Sequence, residues 1–584
     1  MKSNPLLLVL LFISSLASFA QVGINTTSPK GALDIVSTNQ GVVIPRVDDI
    51  NTVTDGQGNS PVDGTVAYDT STNSFCFRAN SMWICTDSTG TTSVIAPPAP
   101  PTFDDTSNSD YVKTSNTGPS DQFGFDVALS SDGNTAAISA WFEASNATGI
   151  NGDQSNNSFL RSGAVYVYTR SGSTWTQQAY IKASNTSINA QFGFSLSLSA
   201  DGNLLAVGAR GDRSGSPGIG GNQNDVSQPA SGAVYIFSKT GSTWAQTEYI
   251  KASNPELQDQ FGFSVDLSTA GNTLAVGAFA EDSSAPGING NQSDNSQNDS
   301  GAVYLFVRNA GVWSQEAYIK ASNPGQSDQF GKTVALSSDG NTLSVGAWQE
   351  RSSATGIDGN QTNNSNTASG AVYVFIRTAG SWTQEAYIKS SNSDTGDYFG
   401  TSVALSSDGN TLAVGAYFEQ SLGTGINGSQ GNDAAEVGAV YIFSRSAGNW
   451  TQEAYIKASN SGSNDHFGQD VALSSDGTKL AVGAHDERSN GTGINGDQTD
   501  NSFVSAGAVY VFSKSSGTWV QEAYVKATNT AISYTFGYSV AFSSDGNTLA
   551  IGSPFEASNA TGVNGDQNNV SATGAGAAYF YTVN

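Results

Sequence analysis

Histidine, cysteine and methionine occur only twice each in this 584-residue chain, and lysine plus arginine number 24 against 50 acidic residues. The net charge of −26 argues against nucleic acid or anionic lipid as a partner, since neutralising phosphates takes clustered Lys and Arg. It leaves cation binding open. With His466 and His485 as the only histidines, no Ser/His/Asp arrangement, zinc-protease helix or phosphate loop can be assembled from motifs, and no enzyme is expected. No apolar run is long enough to cross a bilayer, so membrane insertion is not expected. The stretch Leu6 to Ile13 follows Lys2 and precedes the small residues Ser18 and Ala20. Residues 1–20 therefore read as a cleavable secretory signal cut near Ala20, for a secreted or cell-surface product. The two cysteines, Cys76 and Cys85 in FCFRANSMWIC, face each other across a hairpin turning at Asn80-Ser81. An oxidising compartment permits a disulfide there, two free thiols being the alternative. The spacing is not that of a redox pair.

What the chain has in abundance is repetition. Phe-Gly recurs at Phe123, Phe192, Phe261, Phe330, Phe399, Phe467 and Phe536, in steps of 69 residues with one of 68. Such a period marks stacked supersecondary units. After Phe-Gly, the alternation of KTVALS predicts a strand and Ser-Asp-Gly-Asn a tight hairpin turn. NTLAVGA predicts a second strand, a loop of about 20 residues follows, GAVYVF predicts a third strand and WTQEAYIK a fourth. Four antiparallel strands per unit make a propeller blade.

The ends fit a closed ring. Tyr111-Val112-Lys113 matches the tail of a fourth strand, and the last repeat stops at Ala578-Tyr579-Phe580-Tyr581 after its third. The expected fold is all-β: a seven-bladed β-propeller of four-stranded antiparallel blades over 109–584, with the N-terminal strand completing the last blade. That arrangement removes an exposed sheet edge. Residues 21–92 read as a small β-rich module, and 93–108, with IAPPAPPTFDD, as a Pro-rich linker.

Phe-Gly followed by Val-Gly-Ala, seven times over, resembles the FG-GAP repeat of integrin α-chain propellers, in its secreted bacterial form. The resemblance covers about 475 residues. It implies a seven-bladed propeller used in adhesion and ligand binding, often with calcium. The chain departs from the family where integrins hold calcium, between the first two strands: here that connection is the short Ser338 to Asn341 turn, too tight to wrap an ion. Residues 21–92 resemble short N-terminal modules of exported bacterial surface proteins.

Strand parity puts the long loops between second and third strands on one face, together with the links between repeats. Loops of this length are uncommon unless functional. An acid follows the second strand in every repeat, as Glu143, Asp212, Glu281, Glu350, Glu419, Glu487 and Glu556. Segments such as TGINGDQ follow it. Two readings stand for Glu143, Asn151, Asp153, Glu281, Glu350, Asp358, Glu487, Asn495, Asp497, Glu556 and Asp566. They are oxygen ligands of a hard cation such as Ca²⁺, or they hold the loop by bonding its backbone. The second repeat has Gly220 where others carry Asn or Asp. The recurring lysines, from Lys113 and Lys182 to Lys526, and the tryptophans opening the fourth strands read as structural.

Variable positions carry the ligand expectation. Directly after the second strand come Trp141, Phe142, Arg210, Phe279, Trp348, Tyr417 and His485. Their rings stand at the rim of the polar face, either stacking on sugars and gripping protein side chains or filling gaps between blades. The function expected is a secreted or surface binding and adhesion protein taking a protein or glycan ligand, with calcium ordering the loops. A non-binding matrix scaffold and a carbohydrate-active enzyme with paired carboxylates are the alternatives. The oligomeric state is not set by the sequence.

Overall fold

The structure is a computed structural model describing residues 22–24, 33–35, 46–47, 65–70, 74–79, 82–87, 92–95, 109–515 and 517–583. The expected signal, 1–20, and residues 96–108 of the expected linker lie outside the described residues. Two compact units divide at Ala99 and Pro100. Among the described residues, no helix is long and apolar enough to cross a membrane.

In the first unit, Val22–Ile24 pairs in parallel with Leu33–Ile35. A five-stranded sheet follows in the order Arg46–Val47, Val66–Asp69, Ser74–Ala79, Met82–Asp87 and Thr92–Ile95. The hairpin register sets Cys76 opposite Cys85, and the two are joined in a disulfide. The last strand carries β structure to Ile95. Alternation here is inverted: Ala67, Asp69, Ser74 and Cys76 are buried, while Val66, Phe75 and Phe77 are exposed.

The second unit is a β-propeller arrangement of seven four-stranded antiparallel sheets. In the fourth repeat the strands are Phe330–Leu336, Thr342–Ala347, Ala371–Thr378 and Ser381–Ile388, as the alternation predicts. The turn between the first two is closed by its own side chains. Asp339 Oδ1 accepts from Ser337 Oγ at 2.6 Å and from Asn341 N at 2.9 Å, while Thr342 N donates to Ser337 Oγ at 2.9 Å. Asp339 Oδ2 accepts from Asn341 Nδ2 at 2.8 Å, so both carboxylate oxygens are engaged within the turn.

Cohesion lies between sheets. Val303, Leu305 and Ile319 of the third pack against Val334, Leu343, Tyr373, Phe375 and Trp382 of the fourth in one buried cluster, and the same layer recurs around the unit. Burying a side chain of this size stabilises by roughly 1.5–3 kcal/mol. The glycines of the repeat are set by backbone approach. Gly370 sits at φ 81° with a parallel bridge to Phe399 of the next sheet, and a Cβ there would lie 2.0 Å from the Phe399 carbonyl oxygen. No other residue type fits that gap.

The seventh sheet is composite. Val540–Phe542, Thr548–Ser553 and Ala577–Thr582 take Asp110–Val112 as their fourth strand, with Tyr111 opposite Tyr579 and Val112 opposite Ala578. The hairpin turns are also linked by a belt of backbone hydrogen bonds. Ser131 N donates to Ala200 O, and each turn donates onward through Thr269, Ser338, Ser407, Ser475 and Ser544, whose N donates back to Ser131 O at 3.0 Å.

Candidate functional site

The acid after each second strand is buried and committed. Glu143 is 1% exposed. Its Oε2 accepts from Lys182 Nζ at 2.8 Å, and its Oε1 accepts from Asn116 Nδ2 and from the Tyr180 hydroxyl, each at 3.0 Å. Lys182 closes the fourth strand of the same repeat, while Asn116 lies in the link entering it. The pairing repeats as Lys251–Asp212, Lys320–Glu281, Lys389–Glu350, Lys457–Glu419 and Lys526–Glu487, all between buried partners. Lys113 and Glu556 make the seventh at 2.8 Å, both side chains 0% exposed. Burial pushes the Lys182 ammonium below the usual lysine range, against the attraction of Glu143.

These contacts are those of the loop-holding reading rather than of the cation-ligand one. A divalent ion at Glu143, Glu281, Glu350, Glu487 or Glu556 would face an ammonium already seated on the carboxylate. The remaining loop residues are engaged as well. Asn151 takes a left-handed conformation, donates its N–H to Tyr180 O and accepts Tyr180 N on Oδ1 at 2.9 Å, clamping the loop to the fourth strand. Asp358 and Asn495 do the same to Tyr387 and Tyr524. The Gly220 departure is explained: it occupies the same left-handed position and keeps the bond to Tyr249 O at 2.8 Å. Asp153, Asp497 and Asp566 are exposed and accept from their own turns, at Ser155, Thr499 and Asn568. The loop glutamines reach the links, as when Ser115 Oγ donates to Gln154 Oε1 at 2.8 Å. The residues named for calcium thus each have a partner within the loop, its strand or its link, as the loop-holding reading expects.

The variable positions behave differently. First strands neighbour one another all the way round, the first and seventh included, so they line the axis. In five repeats the residue two places after the Phe turns toward that axis, as Phe125, Phe194, Phe263, Lys332 and Tyr538. Phe125 lies 5.1 Å from both Phe194 and Tyr538, and Phe194 lies 4.7 Å from Phe263. Lys332 Nζ bridges the Phe263 and Trp348 rings at 4.4 and 4.5 Å. Trp348 stacks toward Tyr417, Tyr417 meets His466, His466 stacks on His485, and His485 returns to Tyr538 at 5.5 Å. The contacts form a circuit of rings that is completed through the Lys332 ammonium.

All seven residues expected to bind a ligand join this circuit, but at the axis rather than the outer rim. Trp141 packs on Phe125 at 4.7 Å and on Phe142 at 4.0 Å, Phe279 packs on Phe263 at 4.3 Å, and the Arg210 guanidinium lies 4.0 Å over Phe194. They are partly exposed. Two cations thus sit among aromatic faces. Burial, then repulsion from Arg210, pushes Lys332 down to about 8; burial pushes Arg210 down to about 10. A cleft of about 490 Å³ runs outward beside Arg210, lined also by Arg213, Gln191, Gln258 and Gln260. Sequence reading missed Phe125, Phe194, Phe263, Lys332 and Tyr538. The signal was a variable column inside the constant Phe-Gly text.

Two outcomes follow from the buried charges. Lys389→Met leaves Glu350 buried without its counter-ion and should cost about 3–5 kcal/mol in denaturant unfolding. Adding Glu350→Leu should recover most of that loss. The second concerns Asp121, Asp259, Asp328 and Asp397, just before Phe-Gly. Asp328 Oδ2 accepts Gly325 N at 2.8 Å while its buried Oδ1 has no partner. Burial, then the Glu350 charge, raises it to about 7 against the opposing pull of Arg351 and Lys389. Asp121 and Asp397 are raised to about 7 and Asp259 to about 8, burial leading in each. The folded state therefore binds these protons more tightly than an unfolded chain titrating near 4. Their contribution is complete below about pH 4 and is lost as pH rises through 7 to 8. The melting temperature should fall between pH 5 and pH 8.5, and Asp328→Asn should flatten that slope.

Two family models match parts of the chain. Residues 175–237, 244–306, 313–375, 382–443 and 450–512 match the FG-GAP repeat, and residues 23–96 match the phage tail like trimerisation region. No curated protein matches. Among solved structures, the propeller domain of Cps50 (Swd1) from Myceliophteria thermophila is 12% identical, covering 81% of this chain and 99% of its own, with a TM-score of 0.43. The RRP9 WD40 repeats are 9% identical over 81% and 97%, with a TM-score of 0.41. The periplasmic gluconolactonase PpgL of Pseudomonas aeruginosa is 13% identical over 82% and 99%, with a TM-score of 0.39. With more than half of its residues in matched repeats, the chain belongs to the FG-GAP repeat family.

Proposed function

We propose that this protein is a secreted or surface-held binding protein without catalytic activity. In this reading it is a closed seven-bladed propeller that takes a protein or glycan ligand on the axis of its long-loop face. The observation that carries the reading is the circuit of partly exposed rings enclosing Lys332 and Arg210. Aromatic faces take the apolar side of a sugar or a protein side chain. Two cations held in a desolvated setting favour a carboxylate on the same ligand. An acidic glycan or an acidic protein loop is the class that fits both. Calcium is not needed for this site, because the loop acids are held by lysine. Uniform columns hold the fold and singular residues meet at the axis, a division suited to a rigid scaffold with a grafted site.

The first unit supplies assembly in this proposal. Its likeness to a trimerisation region and its exposed Val66, Phe75 and Phe77 face support a sheet covered by copies of itself. Three heads on one base would raise overall affinity by about 10²–10⁴ over a single head where ligands are clustered.

Glycan arrays and pull-downs from surface extracts should identify the ligand, and Trp348→Ala or Lys332→Ala should weaken its binding at least about tenfold, the loss of one buried anchor. Unchanged binding would place the ligand elsewhere. Light scattering of the full chain without residues 1–20 should give a trimer, and Phe75→Ser with Phe77→Ser should give monomers. A monomeric parent would remove the assembly reading and leave the head intact.

A further inference from the structure

The fold brings two positions into contact in the first, second, fourth, fifth and sixth repeats: the residue before Phe-Gly and the residue after the second strand. In the first repeat Trp141 Nε1 donates to Gln122 Oε1 at 2.7 Å, in the second Arg210 Nε donates to Gln191 Oε1 at 2.6 Å, and in the fourth Trp348 Nε1 donates to Gln329. The sixth repeat fills both positions with histidine and follows the second with Asp486. His466 and His485 are the only histidines in the chain. Their rings stack with centroids 5.2 Å apart and planes 24° from parallel.

Both imidazoles converge on one carboxylate oxygen. His466 Nδ1 is 2.7 Å and His485 Nε2 3.2 Å from Asp486 Oδ2, and ligand atoms of all three residues lie within 4.8 Å of one another. Behind the pair, His466 Nε2 is 3.2 Å from Glu436 Oε2. His485 Nδ1 is buried and has no partner. The three side chains keep 13%, 15% and 23% of their surface, so they are shielded but reachable from the axis.

We propose that His466 Nδ1, His485 Nε2 and Asp486 Oδ2 bind a zinc-class transition-metal ion, leaving a fourth position for water or a ligand group. Two imidazoles and a carboxylate suit Zn²⁺, whereas Ca²⁺ and Mg²⁺ prefer an all-oxygen set. Ligand atoms about 2.0 Å from a tetrahedral ion lie about 3.3 Å apart, so the nitrogen–oxygen gaps of 2.7 and 3.2 Å need to open by about 0.6 and about 0.1 Å. Glu436 accepts the Nε2–H of His466, which leaves the Nδ1 lone pair for the metal. That is the outer carboxylate by which metal-binding histidines are oriented. The alternative is a stacked pair of histidines that merely share a carboxylate.

The test uses the full chain without residues 1–20, free of any histidine tag, and Zn²⁺ alone. Calorimetry should show one ion per chain at micromolar affinity or tighter, and Co²⁺ should give the visible absorption of a low-coordinate nitrogen and oxygen site. His466→Gln with His485→Trp, the pair found in the fourth repeat, should abolish uptake while leaving the metal-free unfolding midpoint in place. Glu436→Gln should weaken uptake about tenfold. In the parent chain, one equivalent of Zn²⁺ should shift the ring resonances of both histidines, a reading that needs no variant. No uptake, uptake surviving the double substitution, or histidine signals that ignore Zn²⁺ would each overturn the proposal. The metal readouts are independent of the ligand proposed above, so either can fail alone.

Discussion

A lysine ammonium and a carboxylate, both removed from water, meet once in each of the seven sheets, and the rest of the unit is organised around that meeting. Desolvating such a pair is costly unless every remaining donor and acceptor is used. Each acid is accordingly supplied with further donors: an asparagine from the incoming link and, in several repeats, a tyrosine hydroxyl from the fourth strand. Because the asparagine belongs to the link before the sheet and the lysine to the strand that ends it, one carboxylate ties together entrance, loop and exit. The long loops are therefore fixed at their base, and their outer parts are free to vary.

Strand positions were legible because two independent signals coincide, a two-residue alternation and a turn whose Ser, Asp, Gly and Asn close on themselves. The composite seventh sheet was legible too, since Tyr111-Val112-Lys113 copies the end of other repeats. The role of Glu143 was not. Its partner Lys182 lies 39 residues away, and only a loop folded back on its own strand brings them together. A recurring acid next to glycine and asparagine reads equally well as a cation loop or as a buried ion pair. Chemistry of the residue alone does not separate the two.

The axial site shows the opposite difficulty. Trp141, Trp348 and Tyr417 stood out as large residues in variable text, but Phe125 and Lys332 share a column with threonine and glutamine, at Thr401 and Gln469. Composition does not connect them. What does is strand order: the first strand of every sheet is innermost, so one column from seven repeats converges on one place. His466 and His485 are a sharper case. Each is unremarkable in its own repeat, and only the sheet register makes them neighbours.

The belt that runs from Ser131 through six other turns and back to Ser131 has a topological meaning. Because Asp110–Val112 must wait for Ala577–Thr582, the circle cannot be completed until that strand has been made, and the sealing contact joins residues more than 450 positions apart. Contacts so distant in sequence form slowly. Until that pairing forms, the belt stays open at one seam, so rigidity is the last property the folding unit acquires.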